Sequence, residues 1–204
     1  MSMNPFTRVT GTAAPMLAAN IDTDVIMPKQ FLKGIDRNGL DQGLFHDVRF
    51  LPSGQPDPAF VLNKPAWQRA RFMVVGPNFG CGSSREHAVW GLKQRGIRAL
   101  IGTSFAGIFY DNCQRNGVLL ITLEAATVQR IGELVGQPET AEITVDLNEQ
   151  TIQLHSHEVV RFQIDALRKT ALLLGLDAIG STLQRSEQIQ AFEREHLAAN
   201  PWLS

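Results

Sequence analysis

The chain has 204 residues, of which 44% are hydrophobic and 19% charged, and its 19 basic and 20 acidic side chains nearly balance. This is the composition of an ordinary soluble protein, without the basic excess that marks nucleic-acid-binding proteins. Its apolar runs are too short to span a bilayer and its N-terminus does not resemble a signal peptide, so we expect one cytoplasmic domain that contacts neither membrane nor nucleic acid.

The N-terminal third, from Phe6 to about Trp67, contains strand-like pieces separated by many Pro and Gly residues. Its acidic pair, Asp22 and Asp24, could hold a divalent cation, although the later ligands and central glycine of an EF-hand loop are absent. Asx-type turns joining two strands explain the same residues and are favoured by about two to one. The polar segment from Pro52 to Pro58 is typical of an exposed loop.

A second segment of this region, from Phe31 to Gly39, combines apolar side chains with two cations beside glycines. It has two interpretations. It is either a flexible loop that reads a substrate or a simple surface connection.

The middle of the chain alternates buried strands with amphipathic helices. Three units follow one another: Phe72–Val75 with a helix from Ser83 or Ser84 to Arg95, Arg98–Ile101 with a helix from about Phe105 to Asn116, and Val118–Leu123 with a helix from about Ala125 to Val135. Gly96 and Gly117 are the expected stops of the first two helices. Strand–helix alternation with short connections predicts a largely parallel sheet.

The second predicted helix has Ser104 as its expected N-cap and one apolar face. That face is predicted to contain Phe105, Ile108, Phe109 and Cys113. Cys113 is therefore expected to be a core residue rather than a reactive thiol.

The C-terminal third follows different patterns. Glu142–Leu147 and Thr151–His155 alternate in polarity around a short polar turn, which predicts an antiparallel hairpin. Further along, Asp165–Leu174 and Ser186–Leu197 are candidate helices, and the second is expected to form a C-terminal extension from about residue 186.

The most informative segment runs from Asn78 to Ala88, where a strand becomes a helix. It contains Gly80 and Gly82, the hydroxyls of Ser83 and Ser84, and the guanidinium of Arg85. Free amides at a helix start, with glycines that permit close approach, can cradle a carboxylate or phosphate, and an arginine adds a forked pair of charged hydrogen bonds. The segment is therefore a candidate anion site at the carboxyl end of a strand.

Other interpretations of this segment remain open. Ser83 and Glu86 have the spacing of a capping box, which needs no substrate, and His87 would then pack locally. Cys81 could be a nucleophile activated by the helix start and His87. The spacing does not fit a Walker A loop, a dinucleotide fingerprint or a nucleophile elbow. Two cysteines are also too few for a zinc or iron–sulfur ligand set, so we expect this chain to bind no metal.

The chain as a whole resembles the small subunits of 3-isopropylmalate dehydratases, which belong to the aconitase superfamily. Besides Asn78–Ala88, the segments that carry the resemblance are Asn20–Leu32, Gly43–Phe50, Ser104–Asn112 and Gly175–Leu183. The resemblance implies an α/β fold: a swivelling β/β/α domain of the aconitase C-terminal type, with a mixed sheet and a parallel βαβαβ core. It also implies a flexible N-terminal substrate loop around residues 31–58.

The resemblance further implies a hydro-lyase that is active only with its large subunit. The reaction interconverts 2-isopropylmalate and 3-isopropylmalate through 2-isopropylmaleate, in leucine biosynthesis, and a [4Fe–4S] cluster is held by the large subunit. Ser83 matches the family's catalytic base, and Ser84 and Arg85 match residues that bind substrate. Arg37 is a second-choice substrate ligand. Three apolar residues, Phe31, Leu32 and Ile35, correspond in position to the specificity loop.

Two segments depart from the family pattern, at Ala171–Gly175 and at Asn116–Leu120. Neither includes the anion-site motif. They leave open a related hydro-lyase that acts on citramalate, dimethylmalate or homoaconitate. A non-catalytic module that binds an anion at the same helix start is the alternative from a different functional class.

Overall fold

A computed structural model describes residues 3–33 and 38–203. The strands in these residues form a mixed sheet in the order β4-β3-β2-β1-β5-β6-β7. Their bounds are β1 Arg8–Met16, β2 Phe72–Val75, β3 Ala99–Gly102, β4 Leu119–Thr122, β5 Glu142–Asp146, β6 Thr151–Gln153 and β7 Val159–Arg161. Strands β1 to β4 are parallel to one another, whereas β5 to β7 form an antiparallel meander attached to β1. The predicted mixed sheet with a parallel core is confirmed.

The helices fall into three groups along the chain. Short helices follow β1: α1 Thr23–Ile26, α2 Leu40–Gly43 and α3 His46–Arg49. Longer helices follow β2, β3 and β4 in turn: α4 Glu86–Gln94, α5 Gly107–Asn116 and α6 Ala125–Val135. The C-terminal helices are α7 Ala166–Leu174, α8 Ala178–Leu183 and α9 Ser186–Ala199, and 3₁₀ turns occur at Lys29–Leu32, Val61–Asn63, Pro138–Thr140 and Pro201–Leu203.

The sheet separates two hydrophobic cores. Successive residues of β2 point to opposite faces, so that Met73 and Val75 join one cluster while Phe72 and Val74 join the other. Helices α4 and α5 cover the first face with Leu92, Phe109, Cys113 and neighbouring residues. Helix α6 covers the second face with Val128, Ile131 and Val135. Burial on both faces explains why β2, β3 and β4 are almost entirely apolar runs.

Several predicted boundaries are confirmed. Helix α6 begins and ends at the predicted residues, and Gly117 ends α5 in the left-handed region with φ of 77°. The hairpin of β5 and β6 forms as predicted, and residues 52–56 are exposed. Asp165 caps α7 by accepting hydrogen bonds from the amides of Leu167 and Arg168.

Two predicted helix starts are wrong. Helix α4 begins at Glu86 rather than at Ser83 or Ser84, since Arg85 is still extended with φ of −124° and ψ of 96°. Helix α5 begins at Gly107 rather than Phe105, because Phe105 forms a β-bridge with Phe79. In both cases a contact with a neighbouring loop replaces the first helical turn: the Thr23 hydroxyl donates to the Ser83 carbonyl, and Phe105 bridges to Phe79.

The predicted apolar face of α5 is partly wrong. Its buried residues are Phe109, Asn112, Cys113 and Asn116, spaced as one helical face. Ile108 lies off that face and is 58% exposed. The expected N-cap, Ser104, instead accepts a hydrogen bond from the amide of Asn78.

The C-terminal helix α9 buries none of its residues. Its apolar side chains include Ile189 and Phe192, which are 44% and 67% exposed. Within residues 3–33 and 38–203, every helix is too short or too polar to traverse a bilayer.

Candidate active site

The loop from Asn78 to Arg85 leaves the carboxyl end of β2 between the loops that follow β1 and β3. On the β1 side, the Gly80 amide donates to the Ile21 carbonyl at 2.7 Å and the Thr23 amide donates to the Cys81 carbonyl at 2.8 Å. On the β3 side, the Asn78 amide donates to Ser104 Oγ at 2.9 Å. Three parallel strands therefore bring their terminal loops together, which is where ligands bind in open α/β sheets.

Gly80 and Gly82 give this loop its shape. Their φ angles are 77° and 90°, in the left-handed region that side chains with a Cβ disfavour. A Cβ at Gly80 would also overlap the Phe109 ring, which packs edge-on against Phe79. The glycines are therefore required for the turn itself.

Ser83 and Ser84 follow this turn and are both exposed. In the described part of the chain, neither hydroxyl has a hydrogen-bond partner, and no acceptor faces the amides of residues 82–85. Helix α4 starts immediately afterwards, and its first amides also lack intrahelical acceptors. The segment thus presents two hydroxyls and a run of amide donors, and the partial positive charge of the helix start favours an anion there.

The capping-box interpretation of Ser83 and Glu86 is wrong. The N-cap residue is Arg85, and its side chain makes no capping hydrogen bond. Glu86 turns the other way, and its carboxylate accepts a hydrogen bond from Asn116 Nδ2 at 2.7 Å. The Ser83 hydroxyl is consequently not committed to holding its own helix.

Arg85 lies against the loop that follows β1. Its Nη1 group donates to the Asp24 carboxylate and, at 3.4 Å, to the Met27 carbonyl. The Arg85 side chain is 16% exposed and that of Asp24 is 54% exposed. Among the described residues, no acceptor contacts Nε or Nη2 of Arg85, and these two groups form one edge of the guanidinium fork.

The acidic pair adopts the Asx-type arrangement favoured from sequence only in part. Asp22 Oδ1 accepts a hydrogen bond from the Val25 amide at 2.8 Å and so caps α1, which means that the turn joins a strand to a helix rather than two strands. Asp24 pairs with Arg85. Among the described residues, no three His, Cys, Asp or Glu side chains lie close enough together to hold a metal ion, so they offer no donor set for an iron–sulfur cluster.

The predicted specificity residues occupy the 3₁₀ turn after α1. Phe31 and Leu32 are half-buried, and the Phe31 ring lies 4.9 Å from the His46 ring. Gly43 leaves room for Phe31, because a Cβ at that position would touch the ring at 2.6 Å. The remaining predicted residues of this loop, Ile35 and Arg37, lie outside the described residues.

The two cysteines differ in environment. Cys113 is fully buried, and burial raises the pKa of its thiol well above the usual value. It is therefore inert, as predicted for a core residue. Cys81 is half-exposed and pairs through its backbone with Asp22. His87, its suggested activator, packs against Trp90 in a tilted arrangement with ring centroids 4.6 Å apart.

Sequence reasoning missed the contacts that Thr23 and Asp24 make with the serine loop. Thr23 Oγ1 donates to the Ser83 carbonyl at 2.7 Å, and Asp24 pairs with Arg85. Their position in the chain could have predicted these contacts. Both residues follow a strand that is parallel to β2, so their loop must emerge at the same edge of the sheet as Ser83.

Comparisons with known proteins agree with this architecture. The aconitase C-terminal domain family matches residues 3–126, and the family of C-terminal domains from 3-isopropylmalate dehydratase small subunits matches residues 179–204. The chain is 59% identical to the 3-isopropylmalate dehydratase small subunit 1 of Mannheimia succiniciproducens, across 98% of this chain and 99% of that protein. It is 55% identical to small subunit 2 of Salmonella typhimurium, across 98% and 96% of the two chains.

The chain also resembles a solved structure, although their sequence identity is lower. The 3-isopropylmalate dehydratase structure from Methanocaldococcus jannaschii superposes with a TM-score of 0.67 and 26% identity. The match covers 91% of this chain and 99% of that one.

Proposed function

The chain belongs to the family of 3-isopropylmalate dehydratase small subunits in the aconitase superfamily, and from this premise we propose that Ser83, Ser84 and Arg85 are its contribution to the active site. The family's reaction is a dehydration and rehydration that interconverts 2-isopropylmalate and 3-isopropylmalate in leucine biosynthesis. This chain has the same function, as a hydro-lyase subunit. A cytoplasmic location and a large-subunit partner are parts of the proposal.

The exposed position of Ser83 supports its role as the base. The reaction removes a proton from a carbon beside a carboxylate, and that carbon must reach the Ser83 oxygen. A serine hydroxyl is a weak base near neutral pH, so its anionic form needs donors aimed at the oxygen. The amides of residues 82–85, which have no acceptor among the described residues, and the start of α4 are available to serve as such donors.

Arg85 is proposed as the clamp for a substrate carboxylate. With Nη1 occupied by Asp24 and the Met27 carbonyl, the edge formed by Nε and Nη2 is the one suited to bind a carboxylate through two parallel hydrogen bonds. Ser84 lies between Ser83 and Arg85 in the sequence, and its exposed hydroxyl can donate a hydrogen bond to the same substrate. Arg37 remains a proposed second ligand.

A [4Fe–4S] cluster is proposed on the large subunit, because the described residues of this chain provide no ligand set for it. When bound, such a cluster supplies a Lewis acid for the departing hydroxyl. The role of this chain is then to hold the substrate carboxylate, to exclude water once the loop is covered by the large subunit, and to hold and return the proton at Ser83 Oγ.

The proposal is tested with the chain and its large subunit assembled anaerobically, by following the unsaturated acid formed from 2-isopropylmalate. We expect Ser83→Ala to lower kcat by about 10²- to 10⁴-fold, the range typical of a lost general base. Ser156→Ala removes an exposed hydroxyl elsewhere and should leave kcat unchanged. Normal turnover by Ser83→Ala would reject the assignment.

The same assay distinguishes the other functions considered. Relative kcat/KM values for isopropylmalate, citramalate, dimethylmalate and homoaconitate identify the preferred hydroxy acid. Loss of activity on alkylation of Cys81, with Ser83→Ala still active, would select the thiol mechanism. Binding of malate derivatives without turnover by the assembled complex would select the non-catalytic module.

A further inference from the structure

The polar side chain of Thr23 is buried inside the contact between two active-site loops. Thr23 is 2% exposed and begins α1. In residues 3–33 and 38–203, the other buried polar residues are Asn112 and Asn116. The Asn116 side chain hydrogen-bonds with Glu86, Trp90 and the Asn112 carbonyl. Thr23 belongs to no such network. Its hydroxyl and its amide donate to backbone carbonyls of the loop that carries Ser83.

Thr23 binds this loop at two points. Its amide donates to the Cys81 carbonyl at 2.8 Å, and its hydroxyl donates to the Ser83 carbonyl at 2.7 Å. Gly82 lies between the two carbonyls, and a Cβ built there would be 3.5 Å from Thr23 Oγ1. The left-handed turn at Gly82 therefore wraps the loop around the threonine.

These two bonds fix the direction of two amides. In a trans peptide the carbonyl and the following N–H point in opposite directions. Because Thr23 holds the carbonyls of Cys81 and Ser83, the amides of Gly82 and Ser84 point away from Thr23 and the β1 loop. Neither amide has an acceptor in the described part of the chain, so both remain available as donors.

We propose that Thr23 is a positioning residue for the reaction, which holds the Ser83 peptide and aims the amides of Gly82 and Ser84 toward the anion that forms at the site. This inference rests on the proposed function of Ser83. Donors that are held in place before the reaction stabilise developing charge without reorganisation, so loosening them lowers the rate of the chemical step more than it weakens substrate binding.

The test compares Thr23→Val, which keeps the side-chain shape without the hydroxyl, with Thr23→Ser, which keeps the hydroxyl. Both are assembled with the large subunit and assayed with 2-isopropylmalate. We expect Thr23→Val to lower kcat about 10- to 100-fold, as a small misplacement of catalytic groups does, with KM within about twofold. Thr23→Ser should keep kcat within about threefold of the unmodified chain, because it restores the donor.

A matched control is Thr140→Val, which removes a hydroxyl that donates to the Leu134 carbonyl far from the serine loop. It should leave kcat unchanged. Thermal unfolding and the affinity of each variant for the large subunit are measured in parallel. A structural role of Thr23 would instead lower the unfolding temperature or the large-subunit affinity of Thr23→Val while the assembled complex kept normal kcat, and that result would overturn the proposal.

Thr23→Ala provides a second variant without the hydroxyl, should valine at this position prevent folding. Equal kcat for Thr23→Ala and Thr23→Ser would also overturn the proposal. Ser83→Ala, measured in the same assay, distinguishes failure of the positioning role of Thr23 from failure of the proposed function. If Ser83→Ala is inactive and Thr23→Val is fully active, the positioning role fails alone, whereas an active Ser83→Ala removes the proposed function on which it rests.

Discussion

The guanidinium of Arg85 donates a hydrogen bond to the carboxylate of Asp24, a residue 61 positions earlier in the chain. This contact joins the loop after β1 to the loop after β2 and turns one edge of the guanidinium toward α1. The opposite edge, formed by Nε and Nη2, has no acceptor among the described residues. The sequence favours a simple turn for the segment that contains Asp24. The ion pair instead links this segment to Arg85, the group proposed to hold the substrate.

The first prediction concerns Asp24→Asn. The substitution keeps an acceptor for Arg85 but removes the charge. Solvent screens the half-exposed Asp24 carboxylate, so the ion pair contributes about 1 kcal/mol or less. We expect KM for 2-isopropylmalate to rise about two- to fivefold with little change in kcat. Asp111→Asn, which changes a more exposed ion pair with Arg168, is the control. A lower KM for Asp24→Asn would mean that Asp24 competes with substrate for Arg85.

The second prediction concerns Arg85→Lys. Lysine keeps the positive charge but cannot form two parallel hydrogen bonds with a carboxylate. We expect KM to rise about 10- to 100-fold, since a charge-assisted hydrogen bond contributes about 1.5–3 kcal/mol. Steady-state kinetics of the assembled enzyme provide the measurement, and Arg168→Lys serves as the control. An unchanged KM would exclude Arg85 as the clamp.

The third prediction concerns substrate choice through Phe31 and Leu32. Both are half-buried beside α1, where an apolar surface suits an isopropyl group. We expect Phe31→Arg or Leu32→Arg to shift preference toward more acidic hydroxy acids. The measurement is the ratio of kcat/KM values for isopropylmalate and a tricarboxylate. The control is Leu167→Arg, at an exposed position of α7, which should leave that ratio unchanged. An unchanged ratio for the Phe31 and Leu32 variants would contradict the assignment.

The fourth prediction concerns the stability of the serine loop. Gly80→Ala would place a Cβ in the Phe109 ring and force a left-handed backbone on alanine. We expect the free energy of unfolding to fall by about 2–4 kcal/mol, from overpacking together with the backbone cost. Urea denaturation is the measurement. Gly107→Ala, at an open position in the first turn of α5, should instead be neutral or stabilising, and a loss of similar size there would contradict the explanation.

The fifth prediction concerns the pH dependence of stability through Cys113. Burial raises the pKa of its thiol, so the folded protein keeps the proton that the unfolded chain releases above about pH 8.5. The contribution of this thiol to stability is thus complete below that pH and declines as the pH rises further. Urea denaturation between neutral and alkaline pH should show this decline, and Cys113→Ser should reduce it.

The same environments predict the order of thiol labelling. Iodoacetamide should modify the half-exposed Cys81 in the folded chain and reach Cys113 only when the chain unfolds. Mass spectrometry with and without denaturant separates the two sites. Rapid labelling of Cys113 in native conditions would show that the core under α5 opens readily.

The regular elements of the parallel core follow from local sequence. Phe72–Val75 is a strand because four consecutive apolar residues can be buried on both faces, and α6 has the predicted bounds because its apolar residues recur at helical spacing. Gly117 ends α5 for a local reason as well, since it adopts the left-handed conformation without strain.

The errors at the starts of α4 and α5 occur where a distant residue competes with local preference. Ser83 and Glu86 match a capping box, yet Thr23 holds the Ser83 carbonyl and Asn116 holds the Glu86 carboxylate. Phe105 has the pattern of a helical residue, yet it bridges to Phe79. In each case the residue that makes the observed contact lies far away in sequence, so the local pattern cannot predict that contact.

By itself, the sequence determined the parallel core, the strand-to-helix transition that carries Ser83 and Arg85, and the family resemblance, because these depend on periodicity, glycine positions and residue types within short segments. The tertiary structure alone decided that Ser83 is free of capping, that Asp24 faces Arg85, and that Thr23 is buried under the serine loop. These three features depend on β1 and β2 lying parallel and adjacent, which brings two loops about 60 residues apart to the same edge of the sheet.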